Sequence, residues 1–237
     1  MQSDRFKVAI ASVTLAVGMF LAAAVSAQVL DFEGLQDQEA VMNFYNGGLG
    51  GSGSGPGPNF GIIFTPNSMA VIEADLGGVG NFKLEPSPKT ALFFLSGPAA
   101  TMNVPGGFTT GFSFFYSAAF NPGVINVWSG PNGTGILLAT LNLPVTGNGA
   151  ATPGCNSHNF CPFVPIGVTF AGVAQSVDFG GTINQIAFDQ VTLGSSNPGG
   201  GGPVANIPTL NHWAVLTLIG FLAIAGVIVV RREQSRG

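Results

Sequence analysis

The sequence predicts an all-β fold, a jelly-roll-like β-sandwich held between two membrane-directed ends, and three observations carry that prediction. Charged residues make up only 8% of the 237, while 36 Gly and 16 Pro punctuate the chain. Short runs of β-branched and aromatic residues alternate with Gly, Pro and Asn clusters, the pattern of strands and turns in a sandwich. Long apolar stretches occur at the two termini.

At the N-terminus, Arg5 and Lys7 precede an apolar stretch from Val8 to Val25, and Val25-Ser26-Ala27 offers a signal-peptidase site. This predicts a signal peptide over residues 1–27 and a mature chain that starts at Gln28. Between Gln28 and Ala205 there are two bases, Lys83 and Lys89, against nine acids, a formal charge of −7. No cationic surface is available to displace counterions from phosphate, so nucleic acid is excluded as a partner.

The ectodomain, residues 28–194, is expected to place strands at 61–64, 68–72, 91–95, 108–116, 124–128, 136–143, 166–170, 176–179 and 183–193. Residues 123–143 read as a hairpin whose turn is Ser129-Gly130-Pro131-Asn132-Gly133-Thr134-Gly135. In the run from Thr110 to Tyr116, the two-residue period puts Phe112 and Phe114 on one face and Phe115 on the other. A strand covered on both faces belongs in the middle of the fold. The Gly-rich stretch 47–59 lacks the Lys and the following Ser or Thr of a phosphate cradle, and reads as a loop.

Cys155 and Cys161 flank Asn156-Ser157-His158-Asn159-Phe160. In an exported chain with no other cysteine they are expected to form a disulfide. Two thiolates and His158 would make an incomplete metal site. Asp31 and Glu33 near the first strand and Asp189 near the last are the constellation that could hold a cation. Terminal strands of a jelly roll commonly lie side by side, and these hard oxygens would suit a structural Ca²⁺; the competing reading is solvated carboxylates, or Asp189 capping backbone amides.

Catalytic residues are not expected. The ectodomain's one histidine, His158, lies inside the cysteine loop, and no nucleophile elbow is present. Glu33, Glu73, Asp75 and Glu85 are the carboxylates from which a glycan hydrolase would have to draw a pair. Tyr45, Tyr116 and Trp128 are the candidates for stacking on sugar rings if exposed, and otherwise belong to the core or its rim.

Residues 195–206, with Gly199 to Gly202, read as a Gly-rich linker. Then come Ile207-Pro208-Thr209-Leu210-Asn211-His212-Trp213, an apolar run over 214–230, and Arg231 and Arg232. A 17-residue helix reaches roughly 26 Å, enough to span a slightly thin bilayer with Trp213 at one interface. The basic tail sets that side as cytoplasmic and the rest of the protein outside. Pro208 keeps the preceding residues extended and out of the helix, so they stay available as a peptide.

On Ile207, Pro208, Thr209, Leu210 and Trp213, with the helix and basic tail behind them, residues 207–237 resemble the sorting signals of IPTL-CTERM and PEP-CTERM exported proteins of Gram-negative bacteria. The resemblance implies recognition and cutting by a membrane-embedded processing enzyme, with delivery to the cell surface or beyond; hydropathy alone would equally fit a permanent anchor. The ectodomain is similar to the β-sandwich regions of such exported proteins in Asp31–Leu35, Gly107–Phe114 and Ile186–Leu193. That similarity implies a jelly roll like those of many carbohydrate-binding modules. The expectation is a structural or adhesive envelope or matrix protein with extracellular polysaccharide as partner, against the alternative of a secreted hydrolase.

Overall fold

The computed structural model describes residues 27–200. The expected signal peptide, sorting motif, transmembrane helix over 214–230 and Arg231-Arg232 tail lie outside the described residues. Among the described residues no helix is long and apolar enough to cross a membrane.

Among the described residues ten strands form in chain order: β1 Gln28–Leu30, β2 Glu39–Ala40, β3 Ile63–Phe64, β4 Ser68–Ile72, β5 Thr90–Phe94, β6 Ala99–Ser117, β7 Gly123–Trp128, β8 Leu137–Leu143, β9 Val164–Gly181 and β10 Ala187–Leu193. Every pairing between them is antiparallel. The order is β2-β4-β5-β10-β6-β9-β7-β8, with β1 added to β10 and β3 to β6. The terminal strands therefore lie side by side as expected, Gln28 opposite Leu193 and Leu30 opposite Val191.

The all-β class holds, but the strands join in one continuous sheet because two of them are long enough to bend. β6 runs 19 residues and β9 runs 18. Asn103 pairs with Ser176 and Phe108 with Ala174, so β6 carries extra residues at Val104-Pro105-Gly106-Gly107. Gly107 takes φ +70, a left-handed conformation that a side chain would strain. An irregularity of this kind turns a strand sharply and lets it serve two layers of a core. One half of the β6–β9 pair carries β7 and β8, while β10 joins the other half. The separately expected strands at 166–170 and 176–179 are thus the two halves of β9.

Side-chain alternation then builds the interior. Met102, Phe112, Phe114, Ile125, Val127, Phe179 and Phe188 meet Leu30, Tyr45, Leu92 and Phe94 in one core. Phe114, Phe179 and Phe188 contact one another with ring centroids 5.1–6.1 Å apart, mostly edge to face. Phe115 points the opposite way, as the period required. It packs on a second, smaller cluster of Val71, Phe82, Ala91, Phe93, Phe163 and Ala187.

Two loops expected to be free are tied down. Glu39, fully buried, accepts backbone N–H bonds from Gln36 (2.7 Å), Ser52 (2.7 Å) and Ser54 (3.1 Å), pinning the Gly-rich loop after residue 47. The first residues of the expected linker lie against the sheet: Ser113 Oγ donates to the Ser195 carbonyl at 2.9 Å, and Gly199 N–H donates to Thr192 Oγ1 at 3.0 Å.

Candidate functional site

The second apolar cluster is incompletely covered, and the gap is a groove of about 420 Å³. Val71, Phe93 and Ala187 form its floor because they alternate with core-facing Ala70, Leu92 and Phe188 on β4, β5 and β10. Two loops wall it. Phe120, which follows β6, is 52% exposed and meets Phe160 of the cysteine loop at 6.4 Å, nearly perpendicular. Around the rim stand Gln38, Asn81, Asn159, Asn184 and Gln185, and among the described residues no charged side chain lines the groove.

These walls are held by specific bonds. Phe160 N–H donates to the Asn81 carbonyl at 3.1 Å and Asn159 N–H to Asn81 Oδ1 at 3.0 Å. Asn121 Nδ2 donates to Gln185 Oε1 at 3.1 Å, tying the Phe120 loop to the connection between β9 and β10. Cys155 and Cys161 are disulfide-bonded, as expected, which closes the loop that carries Asn159 and Phe160. Their sulfurs are therefore not metal-binding thiolates.

Lys83 and His158, next in sequence to the groove residues Phe82 and Asn159, belong to a charged cluster. Lys83 pairs with both Glu73 and Asp75, the latter at 3.1 Å, and His158 Nε2 stands 3.8 Å from Asp75. Glu73, Asp75 and His158 could each turn one ligand atom to a common metal. Lys83 already holds both carboxylates, and its own pKa is raised, chiefly by its bonds to Glu73 and then Asp75. Glu85 has both carboxyl oxygens buried with no donor among the described residues. Burial, and then the charge of Glu73, push its pKa up to about 7.

The carboxylates expected to hold calcium are bonded to backbone amides. Asp189, fully buried, accepts from Ser87 N–H (2.7 Å) and Gln190 N–H (2.6 Å). Glu33 Oε1 accepts from Lys89 and Thr90 N–H at 2.9 and 2.8 Å, and Asp31 Oδ1 from Glu33 N–H at 3.2 Å. Burial raises the Asp189 pKa to about 6 despite its amide bonds.

The stacking candidates also fall inside. Tyr45 is 1% exposed, its hydroxyl bonded by Phe32 N–H at 2.6 Å, and burial followed by the nearby Asp31 charge raises its pKa well above the usual phenol value. Tyr116, 3% exposed, donates to the Pro144 carbonyl at 3.1 Å. Neither presents a ring face to solvent. Trp128 is half-buried and donates Nε1–H to Asp178 Oδ2 at 3.0 Å, while Thr101 Oγ1 donates to Asp178 Oδ1 at 2.7 Å. The residues that do line the groove, Phe120 and Phe160 with their neighbouring amides, were not singled out by the sequence. Their signal was an aromatic residue set among turn formers, Ala119-Phe120-Asn121-Pro122 and Asn159-Phe160-Cys161, where no strand would bury it.

No protein-family model matches this sequence, and no curated protein matches it. Several solved structures are similar to the chain at a low level, two of them described here. One is a carbohydrate-binding module from Cellvibrio mixtus lichenase 5A in complex with cellotriose, with TM-score 0.31 and 11% identity over 54% of this chain and 87% of that one. The other is the K3 cleaved adhesin domain of Lys-gingipain from Porphyromonas gingivalis, with TM-score 0.30 and 12% identity over 72% and 93%. Likenesses of this size leave the fold to be read from the strands and the function from the site.

Proposed function

We propose that this chain is an exported, non-enzymatic surface or matrix protein whose β-domain binds a neutral polysaccharide in the groove walled by Phe120 and Phe160. The composition of that groove carries the reading: an apolar floor, a half-exposed aromatic ring and five side-chain amides, with no charge among them. Amides both donate and accept, which matches sugar hydroxyls, and an aromatic face suits the apolar C–H face of a sugar ring. An anionic glycan would call for a cation, and of the two ectodomain lysines Lys83 is engaged by Glu73 and Asp75.

Export and surface sorting rest on residues 1–27 and 207–237, with a membrane-embedded processing enzyme as the partner of Ile207–Trp213. The reading as a hydrolase would draw on a carboxylate pair such as Glu73 and Asp75. Both are bound to Lys83 and neither lines the groove, which favours the binder.

The test is to incubate the full chain, in detergent micelles, with cellulose-type and laminarin-type glucans, xylan and anionic polygalacturonate. Saturable binding to a neutral glycan without shortening of its chains, weakened about tenfold or more by Phe120→Ala, is the expected result. Binding that Phe120→Ala leaves intact, or binding to polygalacturonate alone, would overturn the assignment.

A further inference from the structure

The path of strands ends at β8, which pairs with β7 alone among the described residues. The other edge of such a strand turns unpaired N–H and C=O groups outward, and proteins commonly blunt it with charge, proline or shortness. At the opposite end of the path β2 follows that rule, with two residues, one of them Glu39. β8 does not. It runs seven residues, Leu-Leu-Ala-Thr-Leu-Asn-Leu, with no charge and no proline. Its one irregularity is the extra residue Leu138 near the start, so residues 139–143 run straight, opposite 123–127.

Charge is distributed so that this edge can meet its like. The ectodomain carries nine acids against two bases, yet no Asp, Glu, Lys or Arg occurs in residues 90–177, which hold β5 to β8 and most of β9. Apart from Asp178, the acids lie before β5 or on β10. Asp178 stands two strands in from the edge, in register through Asn126 to Thr140, and its oxygens accept from Thr101 and Trp128. Two copies meeting through the acid-bearing strands would repel; at β8 they bring no charge together.

The strand is also complementary to itself. About Leu141 it reads alike in both directions: Leu141 and Leu143 are buried and Ala139 packs on the same core, while Thr140 and Asn142 are exposed. A second copy laid antiparallel about a two-fold axis at Leu141 therefore sets apolar against apolar inside, and Thr140 of one copy against Asn142 of the other outside. The same axis brings Leu137, 46% exposed, toward the second copy's Val145, 49% exposed.

We infer that the β8 edge is the docking surface for a second copy of this chain, joined by antiparallel pairing of β8 with β8 into a closed two-fold dimer. The sheet then runs on from one domain into the next. This surface is separate from the groove, whose floor comes from β4, β5 and β10, so the dimer carries two grooves.

The test is sedimentation equilibrium of the full chain in density-matched micelles, with detergent in excess so that chains do not share a micelle by chance. Wild type is compared with Thr140→Lys/Asn142→Lys and with Thr140→Lys/Asn142→Glu, changes confined to exposed positions, and circular dichroism confirms that each is folded. Wild type should dimerise. In the two-lysine variant each Lys faces a Lys of the other copy, and the dissociation constant should rise about tenfold or more. In the Lys/Glu variant each Lys faces a Glu, and the constant should return to near the wild-type value. A monomeric wild type would leave the edge to a strand from another protein and overturn the inference. A two-lysine variant that dimerises as well as wild type, or a Lys/Glu variant as weak as the two-lysine one, would overturn it too, the latter by refuting the two-fold register.

Discussion

Glu39→Gln is the substitution that probes most sharply how this loop-rich domain stays ordered. Glu39 is fully buried in β2, and its Oε1 accepts from Ser52 and Ser54 while Oε2 accepts from Gln36. Burial alone would raise its pKa, but the hydrogen bonds from Ser54, Gln36 and Ser52 outweigh it and hold the carboxyl below its usual value. Glutamine keeps the shape and one acceptor. Its N–H₂ then opposes an N–H donor, so one charge-assisted bond is lost and the remaining bonds are to a neutral oxygen. A bond to a charged group is worth about 1.5–3 kcal/mol and a buried donor left bare costs about 1–3, so a loss of roughly 2–4 kcal/mol is expected. For a domain of this size that is a fall in Tm of about 4–16 °C. Thermal melts of the full chain at neutral pH measure it, and limited proteolysis should show new cleavage within residues 47–57. Because the folded pKa is depressed, the wild-type stabilisation is present above about pH 4.5 and lost as pH falls through the folded value, and Glu39→Gln should remove that acid limb. A Tm within a degree of wild type would refute the view that a buried carboxylate pins the Gly-rich loop.

Other consequences are equally open to measurement. Asp189 and Glu85 have folded pKa values above their unfolded ones, about 6 and about 7, so the folded state binds protons more tightly there. Their combined effect should lower stability as pH rises from about 4 to 7 and then level off, Asp189 contributing about 2–3 kcal/mol of the fall; Asp189→Asn should shrink the slope in pH-dependent denaturant melts. Reducing Cys155–Cys161 should cost about 2 kcal/mol, low for a disulfide because its ring is small, and should weaken glycan binding because Asn159 and Phe160 lose their closed loop. Gly133, at φ +67, sits against the Asp178 carboxylate, so Gly133→Ala should destabilise the β7–β8 turn by about 1–3 kcal/mol, read in chemical melts. Calcium or chelator should leave Tm unchanged, since Glu33 and Asp189 are bonded to backbone amides; a rise of several degrees on adding calcium would restore the cation reading for Asp31, Glu33 and Asp189.

Periodicity made much of the fold legible. β4 falls where its Ser68–Ile72 run predicts, and the hairpin around Asn132-Gly133 forms between β7 and β8. The opposed faces of Phe114 and Phe115 separate the two apolar clusters, and the cysteine pair closes. The N-terminal half of β6 was hidden because Ala99-Ala100-Thr101-Met102-Asn103 lacks the bulk that marks a strand; its pairing with β3 and β9, distant in sequence, makes it one. Tyr45 and Tyr116 could not be placed by composition, since a tyrosine whose hydroxyl finds a partner inside is as stable there as at a surface. The groove was illegible for a related reason. It is assembled from a β4–β5–β10 face and loops around Phe120, Phe160 and Asn184, so no local pattern contains it.

The most direct measurement is chemical-shift mapping of the full chain in micelles during titration with a neutral glycan. The account predicts that the ring of Phe120 and the side-chain amides of Asn81, Asn159, Asn184 and Gln185 shift together and saturate. Shifts confined to residues away from the groove, or none with any neutral glycan, would contradict it.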